Sequence, residues 1–120
     1  MPKTLPLLED TSPICCAPLG SREPIDAHDA TTLAIRLKAL ADPARLQMLG
    51  FLLGLPGQEA STSELARLVG LSDPTASHHL KTLEAAGLLT KERRGMSVYH
   101  RVVPEAIHAI AKALHINVCC

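Results

Sequence analysis

The first residues of the chain lack any helical rhythm, and the remainder has one almost throughout. Residues 1–25 hold five of the nine prolines: Pro2, Pro6, Pro13, Pro18 and Pro24. Proline fixes its own φ and turns the preceding residue away from helix, so this stretch is expected to be an extended arm. From residue 26 apolar positions recur at helical spacing, as Leu33, Leu37 and Leu40. A second helix starts in ADPARLQMLGFLLG, with Asp42 as N-cap and Pro43 in the first turn. Its expected apolar face is Leu46, Leu49 and Leu53. PGQEA (56–60) reads as a loop.

STSELARLVG then opens on Ser61-x-x-Glu64, a capping box in which each side chain satisfies a backbone donor of the other. Leu65 and Leu68 are expected to face inward, and Gly70 to stop the helix. LSDPTASHHLKTLEAAGLL follows, with Asp73 as the expected cap, Pro74 in the first turn, Leu80 and Leu83 in the core and Gly87 as the stop. Two helices, 61–69 and 73–86, joined by so short a turn make a helix-turn-helix. After Gly87 the period becomes two. LLTKER and SVYHRVV flank Arg94-Gly95-Met96, and in the second run Val98, His100 and Val102 alternate with Tyr99, Arg101 and Val103. This predicts a two-stranded hairpin with a basic tip. Pro104 opens a last helix carrying Ile107, Ile110 and Leu114 on one face. The predicted fold is mainly α with a small β-hairpin (α+β), a winged helix-turn-helix in the order α-α-α-α-β-β-α.

Composition adds bounds to this pattern. A chain of 120 residues is one domain by the prior of about 100–200 residues each. We place the DNA-binding and dimerisation domain at 26–118, after the arm (1–25) and before a terminal cysteine pair (119–120). Phe51 and Tyr99 are the only aromatics, so the core is aliphatic. A small helical chain rich in Leu and Ala often completes such a core by forming a homodimer. Net charge is zero and names no partner, but its distribution does. Lys81, Lys91, Arg93, Arg94 and Arg101 face only Glu84 and Glu92 over residues 81–101, a local basic footprint suited to nucleic acid. No run approaches the roughly 20 apolar residues of a membrane span. Glu9 and Asp10 stand where a signal peptide would be apolar. A cytoplasmic location with reduced thiols and no membrane partner is expected.

The second helix of the pair begins Asp73-Pro74-Thr75-Ala76-Ser77-His78-His79. Short hydrogen-bonding side chains at a helix N-terminus suit the major groove, where they reach base edges while backbone N–H groups meet phosphate. Thr75, Ser77, His78, His79 and Lys81 are the expected contact set on this helix. Arg93 and Arg94 on the hairpin are expected to grip phosphate or an adjacent minor groove. The expected partner is double-stranded DNA, bound in a salt-dependent way.

LKALADPARLQML, ELARLVGLSDPTASHHLKTLEAAGLL and VYHRV closely resemble the ArsR/SmtB family of metal- and metalloid-responsive repressors, over roughly residues 30–110. The resemblance implies a homodimer packed through its first and last helices. It also implies a two-fold operator and an inducer ion that releases the DNA. Carried over, Thr75, Ser77 and His78 match the family's base-reading positions, and Arg93 and Arg94 its wing.

The sensing site varies on this fold. Arsenic-responsive members often carry Cys-Val-Cys at the start of the third helix, where this chain has Ser61-Thr62-Ser63. Hydroxyls are not soft-metal ligands, so that site is absent. Divalent-ion members often use the last helix, which here offers Glu105, His108 and His115 at a departing spacing. The two histidines lie about 10.5 Å apart along one helix, so a shared ion would have to join them across a dimer.

The thiols remain: Cys15-Cys16 between two prolines, and Cys119-Cys120. Adjacent Cα atoms lie about 3.80 Å apart, against the roughly 4.4–6.8 Å of usual disulfides. A reduced vicinal pair is favoured, and thiolates select thiophilic ions. Trivalent arsenic or antimony takes three ligands in a pyramid, and two neighbouring sulfurs supply two of them. Some arsenic-responsive relatives look similar, with a third cysteine from the partner chain in the loop before the third helix. This loop, GLPGQEA, has none. Cys119 or Cys120 can supply the third sulfur, water can complete the site, or the inducer is a methylated arsenical needing only two thiols. The expected function is a repressor released by As(III) or Sb(III), with no organic cofactor. The alternatives are zinc or cadmium sensed through last-helix histidines, and a thiol redox sensor. An enzyme is not expected, because no Cys-x-x-Cys motif and no cation flanking Cys15 argue for an activated thiol.

Overall fold

The computed structural model describes residues 25–114. The arm with Cys15 and Cys16, the pair Cys119-Cys120, and His115 lie outside the described residues.

Two helices, α1 (Ala27–Leu40) and α2 (Pro43–Gly54), precede a short strand β1 (Glu59–Ser61). The helix pair follows as α3 (Thr62–Val69) and α4 (Asp73–Ala85). Then come the hairpin β2 (Leu89–Arg94) and β3 (Ser97–Val102), and the last helix α5 (Pro104–Ala113). The predicted order holds with one addition. PGQEA is not wholly a loop, because its last residues form β1, which pairs antiparallel with β3 and makes a three-stranded sheet of order β1-β3-β2. A strand of three residues is too short to show a period of two, and its partner lies some forty residues later.

The caps explain where the helices begin and end. Asp42 accepts from Ala44 N at 2.9 Å and Arg45 N at 3.2 Å. The capping box closes in both directions, with Glu64 N donating to Ser61 Oγ and Ser61 N donating to Glu64 Oε1, each at 3.2 Å. Gly70 ends α3 at φ 69° and Gly87 follows α4 at φ 79°, left-handed values that a side chain rarely tolerates. The cap of α4 is Ser72 rather than Asp73: Thr75 N donates to Ser72 Oγ at 3.3 Å. Asp73 sits instead in the first turn, where its charge suits the helix dipole and its carboxylate accepts from Ser63 Oγ at 2.9 Å.

The core joins α2, α3, α4 and the sheet through Met48, Leu52, Leu65, Leu80, Leu83 and Leu88, all fully buried. Leu49 points inward as predicted, but Leu46 and Leu53 are 53% and 39% exposed, and Leu68 is 43% exposed. Helix α2 is apolar nearly all round, so its sequence cannot choose a face. Contact with α3 and α4 selects Met48, Leu49 and Leu52. Helix α1 packs against α2, α4 and α5, yet leaves Ile35 and Leu37 exposed.

Candidate nucleic-acid interface

Helix α4 buries Ala76, Leu80 and Leu83, one stripe at spacings of four and three. That stripe sends Thr75, Ser77, His78 and Lys81 to the exposed side. Ser72 Oγ donates to Thr75 Oγ1 at 2.9 Å, which leaves the Thr75 hydroxyl proton directed elsewhere. His79 does not share this surface. It lies three residues after Ala76 and four before Leu83, on the flank of the buried stripe. There it is half-buried, with its Nδ1 3.1 Å from Arg45 Nη1 of α2. The 3.6-residue period held this information, but the polar run Ser-His-His obscured it.

The hairpin register separates two residues that sequence reasoning treated as one. Arg93 pairs with Val98, Lys91 with His100 and Leu89 with Val102. Directly opposed residues share a sheet face, and the burial of Leu89, His100 and Val102 marks this one as the face toward the helices. Arg94, Glu92 and Thr90, with Ser97, Tyr99 and Arg101, occupy the other.

On the inner face, Lys91 lies 3.8 Å from Glu84 of α4, and Arg93 makes no ion pair among the described residues. A crevice of about 100 Å³ runs between α4 and the wing, lined by Ser77, Lys81, Lys91 and Val98 and, at one side, Thr62 and His100. His100 is only 5% exposed. Its Nε2 is 2.7 Å from Thr62 Oγ1, while its Nδ1 is buried with no hydrogen-bond partner. Burial disfavours the charged ring and holds its pKa below the ordinary value.

On the outer face, Arg94 folds back from the tip across Tyr99, its guanidinium carbon 4.5 Å from the ring centroid. Arg94 Nη1 reaches Glu59 Oε2 at 2.5 Å and Nη2 reaches Glu92 Oε1 at 2.6 Å. Arg101 meets the other Glu59 oxygen at 2.5 Å. Hydrogen bonds from Arg94, then from Arg101, hold the Glu59 carboxyl down to about 2, and the contacts of Arg94 with Glu59, then with Glu92, raise Arg94. Arg94 is thus engaged with β1 and its own strand, and Arg93 carries the tip's outward charge. Sequence reasoning missed Glu59, whose role depends on the unforeseen pairing of β1 with β3.

The hydroxyls at 61–63 are all engaged as well: Ser61 in its capping box, Thr62 with His100, and Ser63 with Asp73. Glu105, His108 and Lys112 line an open hollow on α5 with Pro104 and Ala109. Among the described residues no three His, Cys, Asp or Glu side chains are grouped to hold a metal ion, and no described helix is long and apolar enough to cross a membrane.

Residues 40–92 match the family model described as a helix-turn-helix domain. The chain is 37% identical over 91 residues to the HTH-type transcriptional regulator YgaV of Escherichia coli (strain K12), across 76% of this chain and 89% of that protein. It is 40% identical over 78 residues to the arsenic resistance transcriptional regulator ArsR1 of Pseudomonas putida, across 65% of this chain and 59% of that protein. Among solved structures, a homodimeric winged helix-turn-helix DNA-binding domain from Mycobacterium bovis superposes with TM-score 0.61 and 28% identity. It covers 78% of this chain and 84% of that one. The AntR antimony-specific transcriptional repressor superposes with TM-score 0.64 and 27% identity, covering 80% and 86%.

Proposed function

The chain belongs to the ArsR/SmtB family of winged-helix, DNA-binding transcriptional repressors, and on that premise we propose that it is a homodimer released from its operator by trivalent arsenic or antimony. Cys15 and Cys16 supply two thiolates. Cys119 or Cys120, or a water, completes a three-coordinate site. The observation that carries this reading is the state of Ser61, Thr62 and Ser63. All three are hard oxygen donors, and each is already hydrogen-bonded within the fold. The soft ligands of this sequence are its two cysteine pairs. Similarity to an arsenic resistance regulator and to an antimony-specific repressor supports the same class of inducer.

Dimerisation is supported by the exposed apolar positions Ile35 and Leu37 on α1, the helix that also packs on α5, and by the homodimeric relative. In the dimer the two α4 helices read the half-sites of a two-fold operator, through Thr75, Ser77, His78 and Lys81. The inducer favours release only if it binds the DNA-free conformation more tightly than the DNA-bound one.

The test is arsenite- and antimonite-driven release from DNA by the full chain and by Cys15→Ser and Cys16→Ser variants. Both variants are expected to bind DNA and ignore the metalloid, and normal release by either overturns the assignment. Truncation after Val118 tests the terminal pair: unchanged arsenite affinity removes Cys119 and Cys120 from the site. Glu105 and His108, both exposed, stand one turn apart on α5 and favour a second reading, a divalent-ion sensor. Zinc-driven release that His108→Ala abolishes would select it. Peroxide-driven release without metalloid would select a redox sensor.

A further inference from the structure

We infer that His79 is a positioning residue, latched by Arg45 so that α4 presents its reading side chains at a fixed roll. The proposal rests on the DNA-binding reading of α4 and moves His79 from the reading surface to the support behind it.

Arg45 connects three elements. Its Nε donates to the carbonyl of Ala39 in the last turn of α1 at 2.6 Å. Its backbone N–H belongs to the Asp42 cap of α2. Its Nη1 lies 3.1 Å from His79 Nδ1 on α4. A guanidinium has donors only, so the contact requires a lone pair on Nδ1 and places the His79 proton on Nε2. The planar fork of Arg45 thus ties the end of α1 to the middle of α4. Thr75, Ser77 and His78 all lie within about one turn of that tie, so a small rotation of α4 moves every one of them.

The experiment uses the full chain and a duplex that the wild type enriches from a random-sequence pool. Affinities for that duplex and for random duplex are measured by anisotropy. His79→Leu removes the acceptor facing Arg45 and is expected to lose about tenfold in the ratio of the two affinities, in keeping with one hydrogen bond to a charged group. His79→Asn places an amide oxygen near the position of Nδ1 and is expected to keep the wild-type ratio. A wild-type ratio in folded His79→Leu overturns the proposal, and so does a tenfold loss in folded His79→Asn, even if His79→Leu does not fold. A wild type that enriches no duplex overturns the DNA reading itself, and this inference with it.

Discussion

The two faces of the wing carry similar residues for different purposes. The inner face holds exposed Lys91, loosely paired with Glu84, and exposed Arg93, which has no ion pair among the described residues, beside a buried His100. The outer face holds Arg94 and Arg101, whose charge is folded back on Glu59 and across Tyr99. Arg93 and Arg94 are neighbours in sequence, yet one faces the helices with no ion-pair partner among the described residues and the other is bound into the sheet. Count and position of basic residues do not measure a DNA-binding surface. Their pairing does, because a cation already matched to a carboxylate displaces no counterion from DNA.

The larger loss is expected on the inner face. Replacing Lys91 and Arg93 together by Ala is expected to lower DNA affinity about tenfold and to reduce the log–log salt slope by about one, the share of Arg93, because Lys91 is already paired with Glu84; the thermal midpoint stays nearly unchanged. Salt-resolved anisotropy and calorimetry check this. If the same variant of Arg94 and Arg101 gives equal losses, the two faces are equivalent and the distinction fails.

A pH titration of stability comes next. Burial keeps the His100 pKa below its ordinary 6.5, so the unfolded chain takes up this proton first as pH falls. Its contribution to stability is present above about pH 6.5 and is lost below it, levelling off once the folded ring also protonates. His100→Gln retains a donor toward Thr62 without titrating, and denaturant midpoints for this variant are expected to vary less between about pH 7 and 5. Equal variation in both proteins would remove His100 as the source.

Arg94→Ala is expected to lower the thermal midpoint by a few degrees and to change DNA affinity by less than about threefold, since exposed ion pairs contribute little individually. Glu59→Gln gives the smallest effect. It frees part of the outer charge, so the salt slope is expected to steepen by about one while operator affinity barely moves. A shallower slope would mean that Glu59 supports the wing's DNA contacts instead of withholding charge from them.

Much of this architecture was legible in the sequence where the cause is local. The Ser61–Glu64 box, the Asp42 cap, the glycine stops and the stripe of Leu80 and Leu83 all act within a few residues. What escaped was non-local or degenerate. Strand β1 is defined by pairing with β3. The inward side of leucine-rich α2 is chosen by its neighbours, which turned Leu46 and Leu53 outward. Ser72 and Asp73 are both good caps, and backbone geometry decided between them. Of the candidate site, the exposed set on α4 followed from its period. His79 was misplaced although the same period located it, and Arg94 was grouped with Arg93 because Glu59 stands some thirty-five residues earlier. The cysteine pairs were legible as chemistry and lie outside the described residues.

The stack of Arg94 on Tyr99 has a practical side. The chain contains no tryptophan and a single tyrosine, so its tyrosine-band emission, distinct from the weak, shorter-wavelength emission of Phe51, comes from one ring with a guanidinium laid across it. Tyrosine fluorescence is therefore a label-free signal from the outer wing alone. Any event that slides Arg94 off that ring, whether DNA docking or inducer capture far away, can be followed in real time without attaching a dye.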